Sequence, residues 1–199
     1  MEINSLSQLD LTKQYTYADY VLWKFNERVE LLKGYLRQMA APSRKHQTAS
    51  VNLTYAFVKT FKQHPCKVYV APFDVRLPKK NPVGINPKDV YTVVQPDICV
   101  VCDLSKLDDA GCLGSPDLIV EILSPSNSKT DLFDKYKIYE EAGVKEYWIA
   151  NPMEKLLQQY ILNDISQRYE LLNVATTDEQ LTAHIFPMLV VNVADIFED

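Results

Sequence analysis

Three features of the sequence predict an α/β or α+β domain: a mixed β-sheet flanked by helices, with additional β-hairpins. Two segments with helical period, residues 43–63 and 129–142, are interleaved with several strand-like runs. Some connections between those runs are too short to hold a crossover helix, so part of the sheet must pair antiparallel. Two stretches, "RVELLKGYLRQMA" and "KLLQQYIL" with "QRYELLN", read as hairpins.

In chain order, "TYADYVLWKF" suits a short helix with Thr16 as N-cap. The first hairpin turns at Lys33-Gly34. Residues 43–63 place apolar side chains at 51, 55, 58 and 61, a helical period that ends at Pro65. "CKVYVAPFDVRL", "VYTVVQPDICVV" and "SPDLIVEIL" each read as a strand, and "PKKNPVGINPKD" between the first two reads as a loop. Residues 129–142 form a second helix closed by Gly143, with Ser128 and Asp131 spaced as a cap. "EYWIA" is a further strand, and the tail "HIFPMLVVNVADIF" is apolar enough to pack back on the body.

The length of 199 residues suits a single domain, 1–199, that buries roughly 70% of its unfolded surface. Hydrophobic residues at 47% and charged residues at 24% are ordinary for a soluble globular chain. No apolar run approaches the roughly 20 residues of a membrane span. The segment "MEINSLSQLDLTKQ" lacks the basic-then-apolar order of a secretion signal, so a cytoplasmic location is expected. The net charge of −5 argues against binding a bulk polyanion over the whole surface, while leaving room for local basic patches. Cys99 and Cys102 are three apart in a strand and point to opposite faces, which disfavours a zinc knuckle. All four cysteines are expected as buried free thiols of a reducing compartment.

The carboxylates raise the chemical question. Glu121 stands among Leu118, Ile119, Val120, Ile122 and Leu123, where an unpaired charge costs several kcal/mol or more. The two-residue period puts Asp117, Ile119, Glu121 and Leu123 on one face, and Asp97 shares a face with Cys99 and Val101. The loop "DLSKLDDAGCLG" between these strands is short enough for them to pair and bring Asp97 near Glu121. Like charges so placed repel unless a cation intervenes, and Mg2+ is typically held by one or two carboxylates with waters and phosphate oxygens. Internal partners, backbone N–H groups or an arginine, would serve the pair equally well. On a helical wheel Lys135 falls inside the apolar arc of Leu132, Phe133, Tyr136, Tyr139 and Ala142, while Lys137, Asp134 and Glu141 lie opposite. Two accounts fit: an i,i+4 pair with Asp131, or an ammonium aimed at the two acids.

Two acids and a lysine are the working parts of the PD-(D/E)XK nucleases. Pro96-Asp97 and Glu121 match, but Leu123 occupies the lysine position of the simple motif. The segments "VELLKG", "MAAPSRKHQ", "APFDVRL", "QPDICVV", "PDLIVEILSPSN" and "TDLFDKYKIYEEAGVKEYWIANP" are more specific. With their spacing, the chain resembles the Uma-type restriction endonuclease group over about residues 15–192. That resemblance implies a restriction-endonuclease-like fold and a lysine moved to the helix, where Lys135 stands. It also implies Glu30 as an accessory acid. It further implies Mg2+ (Mn2+ in its place) on Asp97, Glu121 and the Ile122 carbonyl, and DNA as substrate. Departures occur at "LLKG", where an acid usually precedes the glycine, and at Asn151, where aspartate is commoner.

The resemblance also favours a substrate-facing role for His46, for which an ordinary capping or surface role is the alternative. Arg44, Lys45, Lys79 and Lys80 are candidate phosphate contacts, with solvated faces as the alternative. A homodimer is compatible with two-strand cleavage. The rival expectations are a catalytically inactive nucleic-acid-binding or regulatory module of the same fold, and a structural protein whose acids are satisfied internally.

Overall fold

The computed structural model describes residues 2–78, 86–124 and 129–198. Helix α1 (Tyr17–Tyr20) starts as expected at Thr16, whose backbone N–H donates to the Asp19 carboxylate at 2.8 Å. Strands β1 (Val29–Leu32) and β2 (Tyr35–Gln38) form the expected hairpin. Lys33 at φ 54° and Gly34 at φ 90° make its two-residue turn, the positive-φ pair that matches the twist of flanking strands. Helix α2 (Arg44–Phe61) follows, and of the apolar positions that gave its period only Phe61 is buried. Ala49, Leu53, Phe57 and Phe61 are buried, while Val51, Tyr55 and Val58 are exposed.

Two runs that read as single strands are each divided by a proline. "CKVYVAPFDVRL" becomes β3 (Lys67–Val70) and β4 (Val75–Leu77), interrupted at Pro72; "VYTVVQPDICVV" becomes β5 (Thr92–Val94) and β6 (Ile98–Val101), interrupted at Pro96. Proline cannot donate to the ladder, and at each break the chain crosses from one sheet to another. The Ala71 N–H donates to the Asp97 carbonyl at 3.1 Å and ties the two crossings together. The segment expected as a plain loop holds β7 (Leu107–Asp108) and β8 (Gly111–Leu113). Then come β9 (Leu118–Ile122), α3 (Lys129–Ala142), β10 (Glu146–Asn151), β11 (Leu156–Leu162) and β12 (Tyr169–Thr176). The chain ends in β13 (Gln180–Thr182), β14 (Val190–Asn192) and α4 (Val193–Phe197). Helix α3 closes at Gly143 (φ 81°), with Gly143 N–H on the Glu140 carbonyl and Val144 N–H on the Tyr139 carbonyl.

The described strands form two mixed six-stranded sheets, ordered β2-β1-β5-β4-β8-β7 and β12-β11-β10-β9-β6-β3, and the small β13-β14 pair. Each large sheet has one parallel pairing, β4 with β8 and β9 with β10. In the second sheet Leu118, Val120, Ile122 and Trp148 face α2, α4 and the C-terminal segment, so the tail packs back as expected. Ile119, Cys99, Val101 and Tyr147 face α3 and the first sheet. A third cluster, including Leu9, Tyr17, Leu31 and Val93, seats the N-terminal segment on the first sheet.

The expectation of four free thiols holds for Cys99 and Cys112, which are buried, and fails for the other two. Cys66 and Cys102 are joined in a disulfide, because antiparallel pairing of β3 with β6 (Lys67 opposite Val101) sets them face to face. Lys79, Lys80, most of the "PKKNPVGINPKD" loop, and the Ser128–Asp131 cap with its Lys135 pair lie outside the described residues. Among the described residues no helix is long and apolar enough to cross a membrane.

Candidate active site

Strands β6 and β9 pair antiparallel with Ile98 opposite Val120, so the chain enters β6 at Asp97 just where β9 reaches Glu121. Asp97 Oδ2 accepts from the Ile122 backbone N–H at 2.7 Å, and Oδ1 lies 3.2 Å from His46 Nε2. The first residue of the "PD" pair breaks the strand, and the second uses the break to bond a backbone donor of the neighbouring strand.

Glu121 is buried, as its apolar setting implies, and it is not alone. Its Oε1 accepts from Lys135 Nζ at 3.0 Å and from the Tyr139 hydroxyl at 2.6 Å. Lys135 and Tyr139 are one helical turn apart on α3, so both reach the same oxygen. Lys135 Nζ also lies 2.9 Å from Glu30 Oε1, on β1 of the other sheet. The wheel position of Lys135 within an apolar arc therefore reflects an ammonium held between two buried carboxylates. Phe133, from the same arc, is exposed instead, with Lys137 Nζ 4.1 Å from its ring centroid.

These contacts set the electrostatics. Burial pushes the Glu121 pKa up; the Lys135 charge opposes this, but Asp97 and Glu30 add to it, and the net direction is upward. For Lys135, burial acts to lower the pKa, but Glu121 and Glu30 outweigh it, so the net shift is upward and the ammonium stays charged. His46 follows the same pattern: burial lowers its pKa, and the Asp97 hydrogen bond and charge more than reverse the effect. Removing one partner from such a buried ion pair typically costs about 3–5 kcal/mol.

A second set of polar groups holds the first in place. The Gln95 N–H donates to Glu30 Oε1 at 2.8 Å, its side-chain oxygen accepts from Arg28 Nη2 at 2.8 Å, and its amide nitrogen donates to Asp74 Oδ1 at 2.8 Å. The sequence reading missed Gln95, Asp74, Arg28 and the Tyr139 hydroxyl. A glutamine directly before Pro96-Asp97, and an arginine two residues before Glu30 on one strand face, were the available signals.

Glu30, His46, Asp97, Glu121 and Lys135 all border one cavity of about 570 Å3. Tyr147 also borders it, with a buried hydroxyl that has no hydrogen-bond partner among the described residues. Arg44 and Lys45 are exposed on the first turn of α2 beside His46, and Lys45 Nζ reaches Met153 Sδ at 3.9 Å. Among the described residues no group of three or more His, Cys, Asp or Glu side chains forms a ready-made metal cage.

The mixed sheets and flanking helices define a restriction-endonuclease-like α+β protein. Residues 17–194 match the family model described as "Uma2: Putative restriction endonuclease", and the chain belongs to that family. It is similar to the "Uncharacterized protein slr1290" of Synechocystis sp. (strain ATCC 27184 / PCC 6803 / Kazusa), 27% identical over 163 residues that cover 80% of each chain. Its fold is that of a crystal structure titled as "a putative nuclease belonging to DUF820" from Anabaena variabilis ATCC 29413. The TM-score is 0.69 at 18% identity, covering 92% of this chain and 97% of that one.

Proposed function

We propose that this protein is a divalent-cation-dependent endonuclease that hydrolyses phosphodiester bonds of DNA. The observation that carries the reading is the meeting of Asp97, Glu121 and Lys135, from two strands and a helix, at one cavity. Family membership supports a nuclease; the roles of the individual residues are inferred from their contacts.

The donor set suits Mg2+, with Mn2+ as a substitute. Asp97 and Glu121 bring two hard carboxylates to one cavity, with Glu30 on the far side of Lys135, and Asp97 and Glu30 both push the Glu121 pKa up. A cation relieves that repulsion. An ion held by two carboxylates needs no third protein acid, because waters and phosphate oxygens complete its shell. Asp97 and Glu121 would hold it, with the Ile122 carbonyl as a further ligand. Such an ion supplies Lewis-acid polarisation of the scissile phosphate.

The protein's own groups do the rest. In the reaction water adds to phosphorus, one P–O ester bond breaks, and the leaving oxygen takes up a proton. Lys135 is charged and fixed between two acids, so it offsets negative charge building on the phosphoryl oxygens and orients the attacking water. Glu30 positions Lys135 from the far side and holds the Gln95 N–H. His46, anchored on Asp97, faces the cavity where a phosphate would enter.

The test is cleavage of plasmid DNA with and without Mg2+. Asp97→Ala, Glu121→Ala and Lys135→Ala should each lower the rate by about 100-fold or more, with the circular dichroism spectrum of the fold retained. Unchanged cleavage by all three variants refutes the assignment. DNA binding without scission by the intact protein supports the inactive binding module instead.

A further inference from the structure

Helix α2 carries two apolar stripes, and only one is covered. On the face opposite Leu53, Val51, Tyr55 and Val58 are exposed at 63%, 68% and 49%. With Ser50 and Thr54 they line the same cavity as Asp97, Glu121 and Lys135. From His46 to Val58 this lining extends about 18 Å along the helix at 1.5 Å per residue. It begins with polar side chains beside the acids and becomes apolar and aromatic further away.

The charge of the helix points the same way. Arg44–Phe61 contains no Asp or Glu, in a chain whose formal net charge is −5. Its charged residues are Arg44, Lys45 and Lys59, and Lys59 Nζ lies 5.9 Å from the Tyr55 ring centroid. Arg28 and Arg37 line the cavity opposite.

We propose that this groove receives the bases of an unpaired DNA strand, one base stacked on the Tyr55 ring, with the phosphates led past Lys59 toward the acids. The proposal rests on the nuclease reading of the acid end and names its substrate as single-stranded or locally unpaired DNA. In a duplex the base faces are stacked inside and only their edges reach the grooves, so an apolar wall has nothing to bind. An unpaired base offers its ring face, and stacking on an aromatic side chain is indifferent to sequence. An acid-free helix keeps carboxylates away from the phosphates until the strand reaches the proposed metal site. A second copy of the chain fits less well: a stable subunit contact takes about 800 Å2 from each partner, and this stripe is one face of a single helix along a cavity of about 570 Å3.

The experiment is fluorescence anisotropy of the full chain with a short labelled DNA, in EDTA so that binding is read without cleavage. Single-stranded DNA should bind at least about 10-fold more tightly than the duplex of the same sequence. Tyr55→Ala should lose about 10-fold on the single strand, Tyr55→Phe should bind as the wild type does, and an abasic strand should lose what Tyr55→Ala loses. Tyr55 is exposed, so an unchanged melting temperature in these variants is expected. Equal affinity for the two DNA forms, unchanged binding by Tyr55→Ala, or a dimer that Tyr55→Ala dissociates in sedimentation would each overturn the proposal. The two readings separate cleanly. If wild type and Tyr55→Ala cut single-stranded circular DNA equally, the groove assignment falls and the nuclease stands. Tyr55-dependent binding by a protein that cuts nothing has the opposite meaning.

Discussion

Glu140 and Glu121 are both buried carboxylates in contact with α3 or part of it, and their surroundings drive them in opposite directions. Burial would raise the Glu140 pKa, but the Tyr169 N–H at 2.7 Å and the Arg168 guanidinium at 2.7 Å outweigh it and hold it below the usual range. A carboxyl depressed in the folded state stabilises the fold above its unfolded pKa, and that contribution disappears as pH falls through the lower, folded value. Glu140→Gln should therefore cost about 1–2 kcal/mol at neutral pH, and urea unfolding should show the gap from wild type closing on acidification below the ordinary carboxylate range. A gap that stays constant with pH contradicts the assignment. At Glu121, like charges add to burial instead. That difference explains why Glu121 stood out in the sequence: an acid inside an apolar run has no local partner, so its partners had to come from elsewhere. Lys135 was visible for the same reason, as a charge on the wrong arc of a helix. Tyr139 was not, because a tyrosine in an apolar arc looks like core whether or not its hydroxyl is used.

At the scale of elements, β10 does more than its apolar pattern suggests. Glu146, fully buried at its start, accepts from Trp148 Nε1 at 2.6 Å, Gln159 Nε2 at 2.7 Å, Ile185 N–H at 2.9 Å and His184 N–H at 3.1 Å. One carboxylate thus fastens the segment between β13 and β14 to β10 and β11 of the second sheet. Glu146→Ala should lower stability by about 3 kcal/mol and speed amide hydrogen exchange most over residues 180–192; uniform exchange across the chain would argue against this clamp. The hairpins, α1 and the C-terminus of α3 were legible because turn and capping chemistry is local. The orientation of α2 was not. Two stripes of that helix carry apolar side chains, and period alone does not say which one meets the sheet. The strand-like runs around Pro72 and Pro96 were legible as extended chain, but not as crossings, since the direction a chain takes after a proline depends on which sheet is there to receive it.

For the whole molecule, those two crossings decide where the chemistry can be. They bring β1 of one sheet, with Glu30, against Asp97 and Glu121 of the other, and α3 closes the gap with Lys135. The fold class could be read from alternating elements and short connections, whereas Glu30 entered only through family resemblance, although it too is an acid in an apolar run, between Val29 and Leu31-Leu32. The central claim is that the acids meet in order to hold a divalent ion rather than only to pair with Lys135 and His46. Anomalous diffraction from crystals of the protein soaked in Mn2+ tests it most directly. The account predicts a peak between the Asp97 and Glu121 carboxylates that disappears in Glu121→Ala crystals. A saturating soak that leaves this place without a peak, with both acids still bonded to Lys135 and His46, would contradict it.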